Sequence, residues 1–281
     1  MTTDDLSEQE AFDTVDIINH HPTTRISYSA KIKWWQNEID RKERCAKCWL
    51  RNSSECNICF CSQIDEMALN IPQSTSITPI NMCIYYHYQE IGRSANTAHM
   101  FEALSSSKLR PSRSFSSRLM FGDVEKELEL IHKLNNEQDT NTLETCILYP
   151  SSDSIPISQW VNGRPNKTLP INIITLDGTY PQASRQYKYL KATLKILCNK
   201  EPPVVKLDLD PNKPTASALL GIQSQPGVHK LCSYQAMVMA MQQAGESEGI
   251  HITILHTHTT VALTIYALII SYMCTHSYRA M

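Results

Sequence analysis

Glycine is scarce in this chain, at 8 of 281 residues, and no GxGxxG or GxxxxGK[ST] string occurs. Glycine-loop dinucleotide binding and P-loop phosphate chemistry therefore have no sequence support. No leader is expected either. The first 16 residues carry six acids and no Lys or Arg, unlike a secretory signal or a basic transit peptide. The longest apolar run, Val261–Cys274, is 14 residues, short of the ~20 that span a bilayer. His256 and His258 just upstream make extension of a span costly. No stable membrane association is expected, and a reducing cytoplasmic or nuclear compartment is the expected location. Nor does charge of one sign dominate. Net charge is -2 and the pI is about 6.5, which argues against a polybasic chromatin-type protein but leaves room for local basic patches.

What remains is 42% hydrophobic and 19% charged, a globular composition with enough chain to bury a core. Residues 1–40 read as an acidic and then basic tail, partly disordered. Residues 41–65 hold a cysteine cluster, 66–248 a folded body, and 249–281 an atypical His/Thr-rich and apolar tail. Five of the 10 cysteines fall between residues 45 and 61, as Cys45-x2-Cys48-x7-Cys56-x2-Cys59-x-Cys61. Paired short spacings let two thiolates of one knuckle meet two of another around a tetrahedral zinc. Lys42, Arg44 and Lys47 favour the thiolate form. Cys45 and Cys48 form one pair, and the second is Cys59 with Cys61 or, alternatively, Cys56 with Cys59. Four thiolates leave no open position, so the zinc is expected to be structural.

In the body, Ile80–His87, Thr145–Pro150 and Ile171–Leu176 read as buried strands. A helix is expected after Ser94, with Ala98, Phe101 and Leu104 spaced along it. A second would carry Phe121, Val124, Leu128, Ile131 and Leu134 on one face. A third follows Gly178, opened by the capping-box string Thr179-Tyr180-Pro181-Gln182. A fourth covers about Leu231–Ala244. Strands alternating with helices predict an α/β fold with a mostly parallel sheet. Ligands of such sheets bind beyond the carboxyl ends of the strands. Three polar strings stand at such ends: His87-x2-Glu90-x2-Arg93-x2-Asn96-Thr97, Leu148-Tyr149-Pro150, and Asp177-Gly178-Thr179-Tyr180. Each has a local structural explanation, since Asp177 can satisfy turn amides and Arg93 can pair with Glu90. Their recurrence at separate strand ends points to a ligand site. Between the first two, residues 105–118 hold seven Ser, four basic residues and no acid, a loop composition.

The order of these motifs resembles the DTW-domain family of tRNA-uridine aminocarboxypropyltransferases. Its namesake Asp-x-Thr-Trp string is matched by Asp177, Gly178, Thr179 and Tyr180. The resemblance covers about residues 41–247. It implies a SPOUT-like α/β fold with a C-terminal trefoil knot and a small N-terminal zinc knuckle. It implies transfer of the 3-amino-3-carboxypropyl group of S-adenosylmethionine to N3 of a uridine in tRNA, with Asp177 as the base. Leu148, Tyr149, Pro150, Asp177, Gly178, Thr179, Tyr180, Leu231, Cys232 and Ser233 would bind the cofactor. His87, Glu90, Arg93, Asn96 and Thr97 would shape the cofactor or nucleotide side, and Lys108, Arg110, Arg113 and Arg118 would meet phosphates. The chain departs from the pattern at Tyr180, where Trp is usual, at Gln235, where Glu is usual, and at Ala98, where Gly is usual. A catalytically inactive RNA-binding homologue and a SPOUT-type RNA methyltransferase are the competing readings.

Overall fold

The structure is a computed structural model, and it describes residues 22–41, 43–45, 49, 79–93, 96–105, 119–123, 125–130, 143–198, 201–209 and 231–246. Six strands form one sheet: β1 (Ile80–His87), β2 (Leu119–Phe121), β3 (Glu144–Leu148), β4 (Ile155–Pro156), β5 (Ile171–Asp177) and β6 (Val204–Lys206). Their order is β2-β1-β5-β3-β6-β4, and every pairing is parallel. The described helices are α1 (Pro22–Asp40), α2 (Thr97–Ser105), α3 (Ile157–Gly163), α4 (Tyr180–Cys198) and α5 (Ser233–Gln243), with a short turn of helix at 125–130.

The central strands are nearly continuous apolar runs because both faces of a parallel sheet are covered. Alternation then sorts their side chains. Ile80, Met82, Ile84 and Tyr86 of β1 and Ile171 and Ile173 of β5 face α2, α3 and α5, where Phe101, Ile157, Tyr234, Met237 and Val238 close the core. Cys83 and Tyr85 of β1 and Ile174 of β5 face the other way, against Tyr187, Leu190 and Leu194 of α4. A one-residue slip in β1 would exchange the two sets.

The connection after β1 leads to β2 on one side, whereas that after β5 leads through α4 towards β6 on the other. The β1/β5 boundary is thus a topological switch point, the place where open parallel sheets bind ligands.

Two sequence expectations need correcting. Phe121 does not belong to the helix that follows; it pairs with His87 as the last residue of β2, and Gly122 at φ 102° turns the chain. Residues 22–40 are not tail but a 19-residue helix. Its apolar residues lack a clean helical period, so the pattern gave no sign of it. Specific contacts hold it instead. Tyr28 donates to Asp123 Oδ2 at 2.8 Å, and Trp35 lies edge-on to buried Trp49. The short strands β4 and β6 and helix α3 were not expected either. At two, three and seven residues they offer too little sequence for a period to show.

A candidate active site at the carboxyl edge of the sheet

The last residue of β5 is Asp177, opposite Tyr86 in the β1 register. Its side chain lies on the α2/α5 face and is only 4% exposed. Asn96 donates from Nδ2 to Asp177 Oδ2 at 2.6 Å. The same Asn96 accepts the His99 amide on Oδ1 at 2.7 Å, which makes it the N-cap of α2. Ser233, the first residue of α5, also hydrogen-bonds to Asp177. Burial raises the Asp177 carboxyl to about 6; the Ser233 and Asn96 hydrogen bonds oppose the rise, nearby Glu90 adds to it, and Arg93 opposes it. A carboxyl so tuned changes charge near neutrality, where a general base is most effective.

Around Asp177 lies a cavity of about 320 Å³ lined by Glu90, Arg93, Asn96, Thr97, Asp177, Gly178, Thr179, Leu231, Cys232 and Ser233. That is at the small end of the range of about 300–1,000 Å³ for ligand pockets. Buried Glu90 accepts from Arg93 Nη1 at 2.8 Å, so one cation and two acids share the wall. Gly178 needs its φ of 153°, and a Cβ there would stand 3.0 Å from Gln182 Oε1. Gln182 in turn accepts the Thr179 amide at 2.7 Å, the reach-back half of the expected capping box. The opposite wall is set by α5, whose N-cap is Cys232; its sulfur accepts the Gln235 amide at 3.5 Å, and a hydrogen bond joins it to Thr97.

The structure therefore gathers seven residues from the first and last polar strings, with Leu231, Cys232 and Ser233, in one cavity. Other expected site residues lie elsewhere. His87 is on the α4 face, stacked between Tyr88 and Phe121; burial first, then Arg185 and Arg93, lower it to about 4, so it is neutral at pH 7. Tyr149 stacks on Tyr187 at 4.3 Å, Leu148 packs on the α2/α5 core, and Pro150 is exposed. Tyr180 is 48% exposed at the start of α4, beside Thr179. Lys108, Arg110, Arg113, Arg118, Cys48, Cys56, Cys59 and Cys61 lie outside the described residues. Cys45 is described; its thiol is half-buried and its carbonyl accepts the Trp49 amide at 2.9 Å. Among the described residues no cluster of three metal-ligating side chains occurs, and no helix is long and apolar enough to cross a membrane.

The model of the DTW domain matches residues 42–266, well over half of the chain. The chain belongs to the DTW-domain family. Neither the curated proteins nor the solved structures yield a match. The family is associated with tRNA modification and points to tRNA as the substrate. The DTW match starts at the cysteine segment and runs past residue 248, the expected end of the catalytic body. Its namesake Asp177 and Thr179 both line the cavity.

The motifs did not reveal two further parts of this DTW protein. One is the packing behind Asp177, where Trp49 stacks on His99 at 3.7 Å, His99 meets Glu102 at 3.3 Å and Tyr86 donates to Glu102 at 3.1 Å. The other is the clamp of α1 on the loop after β1. A Cβ on Gly92, at φ 74°, would stand 2.7 Å from Trp35, and Arg44 donates to the Gly92 carbonyl at 2.8 Å. The adjacent Trp34-Trp35 pair was the available sequence signal.

Proposed function

We propose that this protein transfers the 3-amino-3-carboxypropyl group of S-adenosylmethionine to N3 of a uridine in tRNA and releases methylthioadenosine. The observation that carries the reading is Asp177: a buried carboxyl at a parallel-strand end, poised near 6, facing a polar cavity. Uridine N3–H is a weak acid and must lose its proton as it attacks. Asp177 accepts that proton. The new N–C bond forms as the C–S bond breaks, and the electron pair of that bond stays on sulfur.

The cavity walls fit such a donor. S-adenosylmethionine carries a sulfonium, an ammonium and a carboxylate and supplies the activated carbon. Glu90 and Asp177 offer acids to its cationic groups, and Arg93 offers a guanidinium to its carboxylate. Thr97, Thr179 and Ser233 add hydroxyls, and Gly178 lets a ligand approach the backbone. Holding that carbon, and not the methyl, in line with the nucleophile is the positional task of this wall.

The same reading includes a C-terminal trefoil knot and a structural zinc on Cys45, Cys48, Cys59 and Cys61, with Cys56 as the alternative to one of the second pair. What supports the zinc is the donor set itself, paired thiols at the short spacings that tetrahedral structural sites use.

Incubation with S-adenosylmethionine and unmodified tRNA tests the reaction. Methylthioadenosine as product supports the transfer. S-adenosylhomocysteine instead would make the protein a methyltransferase, and neither product would make it an inactive RNA-binding homologue.

A further inference from the structure

Helix α1 precedes the family-matched segment, which starts at residue 42. It nonetheless packs on the loop that forms one side of the cavity, through Trp34 and Trp35 against Gly92. This brings Lys31 within the electrostatic reach of Glu90 and Arg93, two residues of the cavity wall. Its ammonium sits 3.6 Å from the centre of the Trp34 ring, a cation–π contact that holds the long side chain in one place. Arg93, which lines the cavity, is 54% exposed at its side chain.

The charges around Lys31 do not balance locally. Burial first, then the fields of Arg93 and Arg44, make it release its proton more readily; Glu90 and Glu38 act the other way but do not cancel them. Those two acids are already engaged, Glu90 by Arg93 at 2.8 Å and Glu38 by Arg44 at 3.1 Å. Among the described residues Lys31 has no ion-pair partner of its own. A cation held on a ring, next to two other cations and half out of water, is stabilised when an anion docks against it. Lys31 does not line the cavity, so that anion is not the small-molecule ligand within it.

We infer that Lys31 on Trp34 forms a phosphate-binding rim for the tRNA backbone beside the cavity wall that Arg93 lines, built by a helix outside the family's matched segment. This rests on the tRNA reading above. The rim grips the nucleotides that flank the target base while the base enters the cavity. Phosphate contacts of this kind position a nucleic acid without reading its sequence.

The test is binding of unmodified tRNA to the full chain across a salt series, with Lys31→Gln, Lys31→Glu and Lys31→Arg. One lost phosphate contact lowers the salt slope by about 0.7–0.9 and weakens binding about five- to eightfold at 0.1 M salt. Lys31→Gln and Lys31→Glu should both show this, with Lys31→Glu weaker still. Lys31→Arg should restore slope and affinity, and S-adenosylmethionine affinity by calorimetry should stay at the wild-type value in all three. Wild-type tRNA affinity and slope in Lys31→Gln and Lys31→Glu overturn the rim while leaving the transferase reading intact. Equal loss of S-adenosylmethionine affinity also overturns it, because Lys31 would then be supporting the fold of the site. A wild-type chain that does not bind tRNA overturns the functional reading and the rim with it.

Discussion

Asn96 holds Asp177 with one end of its amide and the start of α2 with the other, at 2.6 and 2.7 Å. One side chain thus couples the charge state of the candidate base to the position of a helix that lines the cavity. Replacing Asn96 by Ala should remove the cap, which costs about 0.5–2 kcal/mol, and free one Asp177 oxygen. Asn96→Asp keeps an acceptor for the His99 amide but sets a second carboxylate against Asp177. Like charge raises a carboxyl pKa, so the acid limb of the pH–rate profile should move upward in Asn96→Asp. An unmoved limb would show that Asn96 serves only as a cap.

Asp177 itself gives a prediction with a sign. Its pKa is 3.8 as an isolated side chain and about 6 here. The folded state therefore binds more protons than the unfolded one between those values, and the stability Asp177 contributes at low pH is lost as pH rises through about 6. The full loss is about 3 kcal/mol, from 1.36 kcal/mol per pKa unit. Asp177→Asn should accordingly gain thermal stability over wild type from pH 4 to pH 7, most of it complete by about pH 7. The same variant should lose transfer activity by about 10²–10⁴-fold. Wild-type transfer should rise with pH through the same range. Activity retained in Asp177→Asn would falsify its role as base.

Gly92→Ala places a methyl where Trp35 stands 2.7 Å away and forces a residue with a side chain to φ 74°. Strain and overpacking together should destabilise by about 1–3 kcal/mol. Chemical denaturation measures the loss, and near-ultraviolet circular dichroism should report rearranged tryptophans.

The helix at 125–130 carries a buried acid that does not line the cavity. Glu127 accepts from Tyr85, from Tyr189 at 3.0 Å and from the Gly122 amide at 3.0 Å. Burial raises its carboxyl above the ordinary value although all three donors favour the charge. Glu127→Ala strips the acceptor from these donors and should destabilise by about 2–5 kcal/mol without changing the pH–rate profile. Tyr189→Phe, which removes one donor only, should cost about 1 kcal/mol. Thermal melts of the two variants give the comparison.

The zinc expectation is measured by elemental analysis. One zinc per chain is the expected content, and chelation should lower the melting temperature because structural zinc contributes folding energy. Cys45→Ser should reduce the bound metal, whereas a chain that retains all its zinc in that variant would exclude Cys45 as a ligand.

Long buried strands were legible because they leave unbroken apolar runs: Ile80–His87 was placed to the residue, and β5 ends one residue beyond the expected Leu176. The residues around Asp177 were legible as motifs, since polar side chains directly after apolar strands are conspicuous. Their sorting to one face or the other was not. His87 and Glu90 are three residues apart, yet the pleat sends His87 towards Phe121 while the turn after it carries Glu90 to the cavity. Helix α1 was illegible for a different reason. It is held by two indoles, a tyrosine hydroxyl and Arg44 downstream, contacts made at long range with no periodic apolar stripe.

The fit of Trp35 over Gly92 also bears on where this protein can be cut. By sequence the family's segment opens at residue 42, and a chain trimmed there would look complete on paper. In space it would lose the indole that covers Gly92 and the edge partner of Trp49, uncovering apolar surface next to the loop after β1 that lines the cavity. Residues 22–41 therefore pack as part of the folding unit.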